Sequence, residues 1–303
     1  MILLKKEISG FNFIIFLCSV FIVPSLSFAE GPWTLSKDKT YMQFTGSFNT
    51  FNTIFNADGE SVKVKFKTHD NTFQYYTEYG LTNKATLKIV LPFKVQDNAV
   101  NYSTNDQRSG NLDGLSNLSI GGKYLFWDKE IKIAGGLDVF ARTYSVNQLS
   151  GLRTGYAGYS MVPYITIGKR FNSSKLQPQF FDGGSDKSYV FMELGAGIKS
   201  HKYSNDLRVK LEGGYTPIAR LWFAGVVDLK VSFKNGSFEE TDPINYSSTS
   251  LYVNNQEYVS LGLKTSYAFT EGFGINGGIV GLLGGRNIAT SPSVSAGIFL
   301  KWE

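Results

Sequence analysis

The sequence predicts an all-β protein, a transmembrane antiparallel up-and-down barrel of about twelve strands. Three features point there. Segments of about ten residues alternate apolar and polar side chains, as strands with two unlike faces do. Short connections interleave with long ones rich in Asn, Ser, Gly and Asp. The chain also opens on a secretory signal and closes on an alternating strand with an aromatic end. Composition agrees: 24 Phe, 17 Tyr and 32 Gly favour strands and disfavour helix interiors.

Residues 1–29 read as a signal peptide. Lys5 and Lys6 form the positive region, 11–23 the apolar core, and Pro24 ends it. Ser27, Phe28 and Ala29 suit a signal peptidase, with the cut before Glu30. The apolar run is short of the about 20 residues of a spanning helix. Cys18, the only cysteine, lies within this signal and follows Leu17 rather than a small residue, against lipidation. The mature chain then has neither a disulfide framework nor a thiolate metal site. The formal charge of +5 is spread along the chain, without the basic block of a nucleic-acid binder. Residues 30–303 form one barrel domain, and no run of 18 apolar residues follows the signal, so helices do not span the membrane.

The predicted strands follow in order. In 40–52, Met42, Phe44 and Phe48 oppose Gln43, Thr45 and Ser47. In 72–79, Phe73, Tyr75 and Tyr79 oppose Gln74, Tyr76 and Glu78. In the third, Ala85, Leu87, Ile89, Leu91 and Phe93 alternate with Thr86, Lys88 and Pro92. Ranges 115–126, 131–143, 160–170 and 188–199 supply the fourth to seventh. In 207–215, Leu207, Val209 and Leu211 oppose Arg208, Lys210 and Glu212; in 221–233, Val227, Leu229 and Val231 oppose Asp228 and Lys230. Ranges 258–269, 273–283 and 291–302 complete the set.

Turns 80–84, 127–130, 216–220 and 270–272 are short, whereas 53–71, 94–114, 144–159 and 234–257 are predicted as long loops. Outer-membrane barrels pair short periplasmic turns with long extracellular loops, so both termini are expected in the periplasm. The long 171–187 and short 200–206 connections depart from this rule. Tyr79, Phe93, Phe126, Phe171, Phe233, Phe269 and Trp302 lie near strand ends, as membrane girdles require. Ser295, Gly297, Leu300 and Trp302 fit the C-terminal pattern that barrel-assembly machinery reads; Glu303 extends one residue beyond it.

Against lipid the apolar face points outward and the polar face inward. Parity then places Lys88, Lys123, Lys132, Arg142, Lys199, Arg208, Lys210, Lys230, Lys264 and Lys301 in the lumen. Glu78, Asp138, Glu193, Glu212 and Asp228 join them, an excess of five positive charges. Arg153, Tyr156 and Tyr159 are candidates for a loop constriction.

Tyr79, Gly80, Leu81 and Thr82, followed by an alternating strand, resemble a repeated pattern in a family of bacterial outer-membrane proteins named for the MetA-pathway of phenol degradation. Gly114, Asn117, Leu118, Gly121 or Gly122, Lys123 and Tyr124 are similar to its second motif, with Asn117 where Asp is commoner. The resemblance implies an outer-membrane barrel, in contact with lipid, that moves small and often hydrophobic solutes; it brings no catalytic residues.

His69 and His201 fall in predicted loops, and Ser204 and Asn205 near His201 lack the spacing and strand context of a barrel lipase. No metal-ligand or phosphate-loop spacing occurs, and Asp58, Asp113 and Asp182 read as turn residues. No enzyme, cofactor or metal is expected. Passage or binding of small solutes is the leading expectation; a structural barrel whose loops bind partners is the alternative.

Overall fold

The computed structural model describes residues 30–100, 109–172, 186–238 and 251–302; the signal segment lies outside them. The strands are β1 (Thr40–Phe55), β2 (Ser61–Thr82), β3 (Ala85–Val100), β4 (Gly110–Leu115), β5 (Ser119–Asp128) and β6 (Ile131–Phe140). A small hairpin of β7 (Val146–Asn147) and β8 (Leu152–Arg153) follows. Then come β9 (Ser160–Asn172), β10 (Asp186–Lys199), β11 (Asp206–Ile218), β12 (Leu221–Ser232), β13 (Glu257–Ala268), β14 (Phe273–Arg286), β15 (Ile288–Ala289) and β16 (Ser293–Trp302).

Each long strand pairs antiparallel with its sequence neighbour, and β1 closes the ring against β16, from Thr40 opposite Trp302 to Asn49 opposite Ser293. β4 and β5 are two pieces of one transit along β3, and β15 is a spur on β1. The described strands therefore make twelve transits of a closed barrel, which leaves no sheet edge. Closure also satisfies the backbone groups without water, as a lipid surround demands.

Side-chain parity follows the predicted sense. On β13, Val259, Leu261, Leu263 and Tyr267 are exposed while Ser260, Lys264, Ser266 and Ala268 are buried. All seven strand-end aromatics named above point outward and are exposed.

Two predicted loops are largely strand. β1 runs on to Phe55 and β2 starts at Ser61, so 53–71 shrinks to a turn. There the Asn56 side chain accepts the N–H groups of Asp58 and Glu60, each at 2.9 Å. The 94–114 loop loses its flanks to β3 and β4, and this places Asp113 on a strand. His69 likewise sits on β2. The reason is an inversion of faces. In the strand ends furthest from the termini, apolar residues point inward. Phe51, Ile54, Leu152, Leu251 and Ala289 form a buried cluster with Val62, Val64, Leu112 and Tyr252 against it. Outside, Lys63 and Lys67 meet solvent. The 200–205 turn is indeed short, and 173–185 lies outside the described residues.

Candidate functional site in the lumen

The barrel encloses a cavity of about 500 Å³. Among the described residues, seven cations line it, Lys88, Lys94, Lys123, Lys199, Arg208, Lys210 and Lys230. Six carboxylates face them: Glu30, Asp70, Glu78, Asp138, Glu193 and Asp228. Most are paired. Lys88 Nζ meets Asp138 at 2.7 Å, Lys94 meets Asp70 at 2.7 Å, and Lys123 meets Glu78 at 3.4 Å. Inside the barrel but off the cavity lining, Lys264 binds Glu212 at 2.7 Å, both buried.

Aromatic packing bounds the cavity toward the termini. Tyr41, Tyr76 and Phe299 cluster with Leu35 and Val90, and Trp222, Ala224 and Val280 with Tyr189. The segment before β1 threads this region. Asp38 donates its N–H to the Gly80 carbonyl at 2.8 Å, and Leu35 donates to Thr86 Oγ1 at 2.9 Å. A Cβ on Gly80 would collide with the Ser36 carbonyl, so the Tyr-Gly-Leu-Thr motif is shaped by this passing chain. Further along, Trp33 lies edge-on to Tyr189 and Phe191, at 5.2 and 5.8 Å, under the Arg170 guanidinium at 4.6 Å. Gly31 holds φ +94°, open to glycine alone, and lets Glu30 reach Lys210 at 2.8 Å and Lys264 at 3.2 Å. Burial would raise the Glu30 carboxyl, but those two lysines hold it down at about 2. The segment thus spans from β2 and β3 to the far wall of β9 to β13.

At the other end, the 141–159 connection folds inward. Asn117 donates to the carbonyls of Ala141 and Tyr156, both at 2.9 Å, and accepts the Tyr156 N–H at 2.6 Å. Asp could accept there but not donate to two carbonyls, which explains Asn at this position. Tyr156 packs edge-on to Tyr203 and Tyr252 and hydrogen-bonds Gln256. Burial, partly opposed by Lys199, pushes the Tyr156 hydroxyl up, so it stays protonated.

Of the predicted lumen residues, Lys88, Lys123, Lys199, Arg208, Lys210, Lys230, Glu78, Asp138, Glu193 and Asp228 line the cavity, and Lys264 and Glu212 lie buried inside the barrel, off that lining. Lys132, Lys301 and Arg142 do not join them; Lys132 pairs with Asp128 beside the 129–130 turn. β6 ends at Phe140, and Arg142 sits exposed in the following connection over Tyr144. Of the predicted constriction, Tyr156 lines the cavity and Arg153 is buried against the Tyr203 hydroxyl. Tyr159 is 58% exposed, because re-entry into β9 turns it outward. Ser204 Oγ donates to Asn255 at 2.6 Å, whereas His201 Nδ1 is 2.9 Å from Ser200 Oγ, so these residues do not form a triad.

The solved COG4313 outer membrane channel from Pseudomonas putida F1 superimposes with a TM-score of 0.67 at 12% identity, covering 92% of this chain and 100% of that one. The chain has the fold of an outer-membrane channel. Looser likenesses are to the NanC porin (TM-score 0.49, 8% identity, 86% of this chain and 99% of that one) and to a TodX monoaromatic hydrocarbon channel variant (0.45, 9%, 88% and 90%). No protein-family model matches the sequence, and no curated protein matches it.

Four charged residues of the barrel interior lie outside the predicted parity set. Asp70 and Lys94 fell in predicted loops, and Asp206 in the 200–206 turn. For Asp70 and Lys94, a period of two continuing past the lipid band is the signal that would have revealed them. Glu30 precedes every strand, and no local pattern marks it.

Proposed function

We propose that this chain is an outer-membrane barrel that binds small solutes in its lumen and passes them passively. The observation that carries this is the charged cavity inside a closed barrel whose outer face is apolar. The channel reading of the Pseudomonas putida F1 protein supports it at the level of fold. Both termini lie in the periplasm on this reading, since residues 30–39 and β16 share one end of the barrel. Membership of the family named for the MetA-pathway of phenol degradation is part of the proposal, supported by Tyr79 to Thr82 and by Asn117 to Tyr124. Hydrophobic and aromatic solutes fall within it. Barrel-assembly machinery would read β16, where Ser295 faces inward and Leu300 and Trp302 face lipid.

Planar-bilayer recording and liposome swelling test the proposal. Small, salt-dependent conductance and uptake of small solutes are expected. Absence of conductance, swelling and lumen binding would leave the structural barrel with partner-binding loops, a reading favoured by the many ion pairs across the lumen.

A further inference from the structure

Four adjacent strands, β10 to β13, carry two charged rungs of opposite character. Gly195, Arg208, Lys230 and Tyr258 stand in direct register on one rung. Among the described residues, a single carboxylate lies within ion-pair distance of the cations here. Asp206, fully buried, lies 2.6 Å from Lys199 Nζ, 2.7 Å from Arg208 Nε and 3.9 Å from Lys230 Nζ. Three cations on one carboxylate leave a local positive surplus. Arg208 uses Nε on Asp206, and its two terminal nitrogens have no hydrogen-bond partner among the described residues. Its side chain is 34% exposed, toward the cavity it lines. Tyr156 frames the same place, with Lys230 Nζ 3.1 Å from its hydroxyl and Lys199 over its ring.

The next rung holds Glu193, Lys210, Asp228 and Ser260. Lys210 is occupied by Glu30. Glu193 and Asp228 both line the cavity, and neither carboxylate has an ion pair or hydrogen bond among the described residues. The rungs are two residues apart, roughly 7 Å at about 3.4 Å per residue. The facing charges of β3 and β6, Lys88 and Asp138, neutralise each other at 2.7 Å.

We propose that this wall binds a small zwitterion of the amino-acid type. Its carboxylate meets Arg208, with Lys199 and Lys230 beside it, and its ammonium meets Glu193 and Asp228. This rests on the solute-binding reading of the lumen and names the solute class. A guanidinium fork held by a carboxylate behind it suits a second carboxylate in front, bidentately. A simple anion would meet repulsion at the acidic rung, and a simple amine at the basic one. A molecule with both charges satisfies both, and a volume of about 500 Å³ holds it.

Calorimetric titration of the mature chain in detergent tests this with three probes of similar length: 4-aminobutyrate, butyrate and butylamine. The zwitterion is expected to bind at least about tenfold more tightly than either singly charged probe, since two rungs rather than one are matched. Arg208→Gln should weaken 4-aminobutyrate and butyrate about tenfold or more, and Arg208→Lys, which keeps the charge but loses the fork, should weaken them less. Glu193→Gln with Asp228→Asn should weaken 4-aminobutyrate and strengthen butyrate. Equal affinity for all three probes, or tightest binding of butyrate, overturns the proposal, and that ranking needs no variant to fold. Binding in detergent does not require passage. A barrel without conductance that ranks the probes as expected keeps this site while losing the channel, and a conducting barrel indifferent to the probes does the reverse.

Discussion

Lys264 shows what a buried charge costs at the scale of one residue. It is fully buried and bridges Glu212 and Glu30. Lys264→Met would leave Glu212 without its cation, while Glu30 keeps Lys210, and loss of one partner of a buried pair costs about 3–5 kcal/mol. Urea unfolding of the refolded protein in lipid vesicles should show a loss of that size; a change below about 1 kcal/mol would contradict the pairing. Glu30 makes a pH-dependent prediction. Its folded pKa of about 2 lies below the ordinary value of 4.5. The docking it contributes is therefore complete above about 4.5 and lost only as pH falls through about 2. Protection of residues 30–38 from protease should hold steady from about pH 7 to pH 4 in the wild type, while Glu30→Gln should lower it at both pH values by loosening the segment. Loss of that protection near pH 4.5 in the wild type would refute the lysine clamp.

At the scale of the element, faces decide everything. Ile89 and Val90 are neighbours on β3, yet Ile89 points to lipid and Val90 lines the cavity. Arginine on the lipid face at mid-depth costs about 2–4 kcal/mol. Ile89→Arg should therefore lower folding yield sharply, and Val90→Arg much less; equal yields would reverse the parity. Gly80→Ala should displace the segment before β1, because the Ser36 carbonyl occupies the Cβ position. The check is faster proteolysis near residues 30–38 with the barrel still heat-modifiable on gels. Parity also explains where strand prediction stopped short. Within the lipid band, Leu87, Ile89 and Leu91 announce a strand by pointing outward. Beyond it, Val62, Val64 and Phe66 point inward and Lys63 and Lys67 outward, as in a soluble sheet. The period of two persists, but the loop-like composition of 67–72 hides it.

For the whole molecule, closure and charge balance set the behaviour. A ring of twelve transits without an edge should migrate faster on gels unheated than boiled. Parity alone predicted an excess of five positive charges in the lumen. The described lining residues instead stand at seven cations to six carboxylates, with Asp206 behind three of the cations. Overall ion selectivity should therefore be weak. The asymmetry is local, so replacing Arg208 and Lys230 by Gln should shift the reversal potential toward cations in a salt gradient. An unchanged potential would place both off the ion path.

The sequence by itself determined the number of transits, the face each side chain takes within the lipid band, and most of the lumen charges. Each follows from a period of two, which is written locally in neighbouring residues. Tertiary structure alone decided which charges neutralise each other. Lys210 lies next to Glu193 and Asp228 in register, yet its ion pair is with Glu30, 180 residues away in sequence. Lys199, Arg208 and Lys230 converge on Asp206 because three strands close around a turn. Such pairings depend on register, ring closure and the path of the segment before β1, and Coulomb attraction acts through space rather than along the chain.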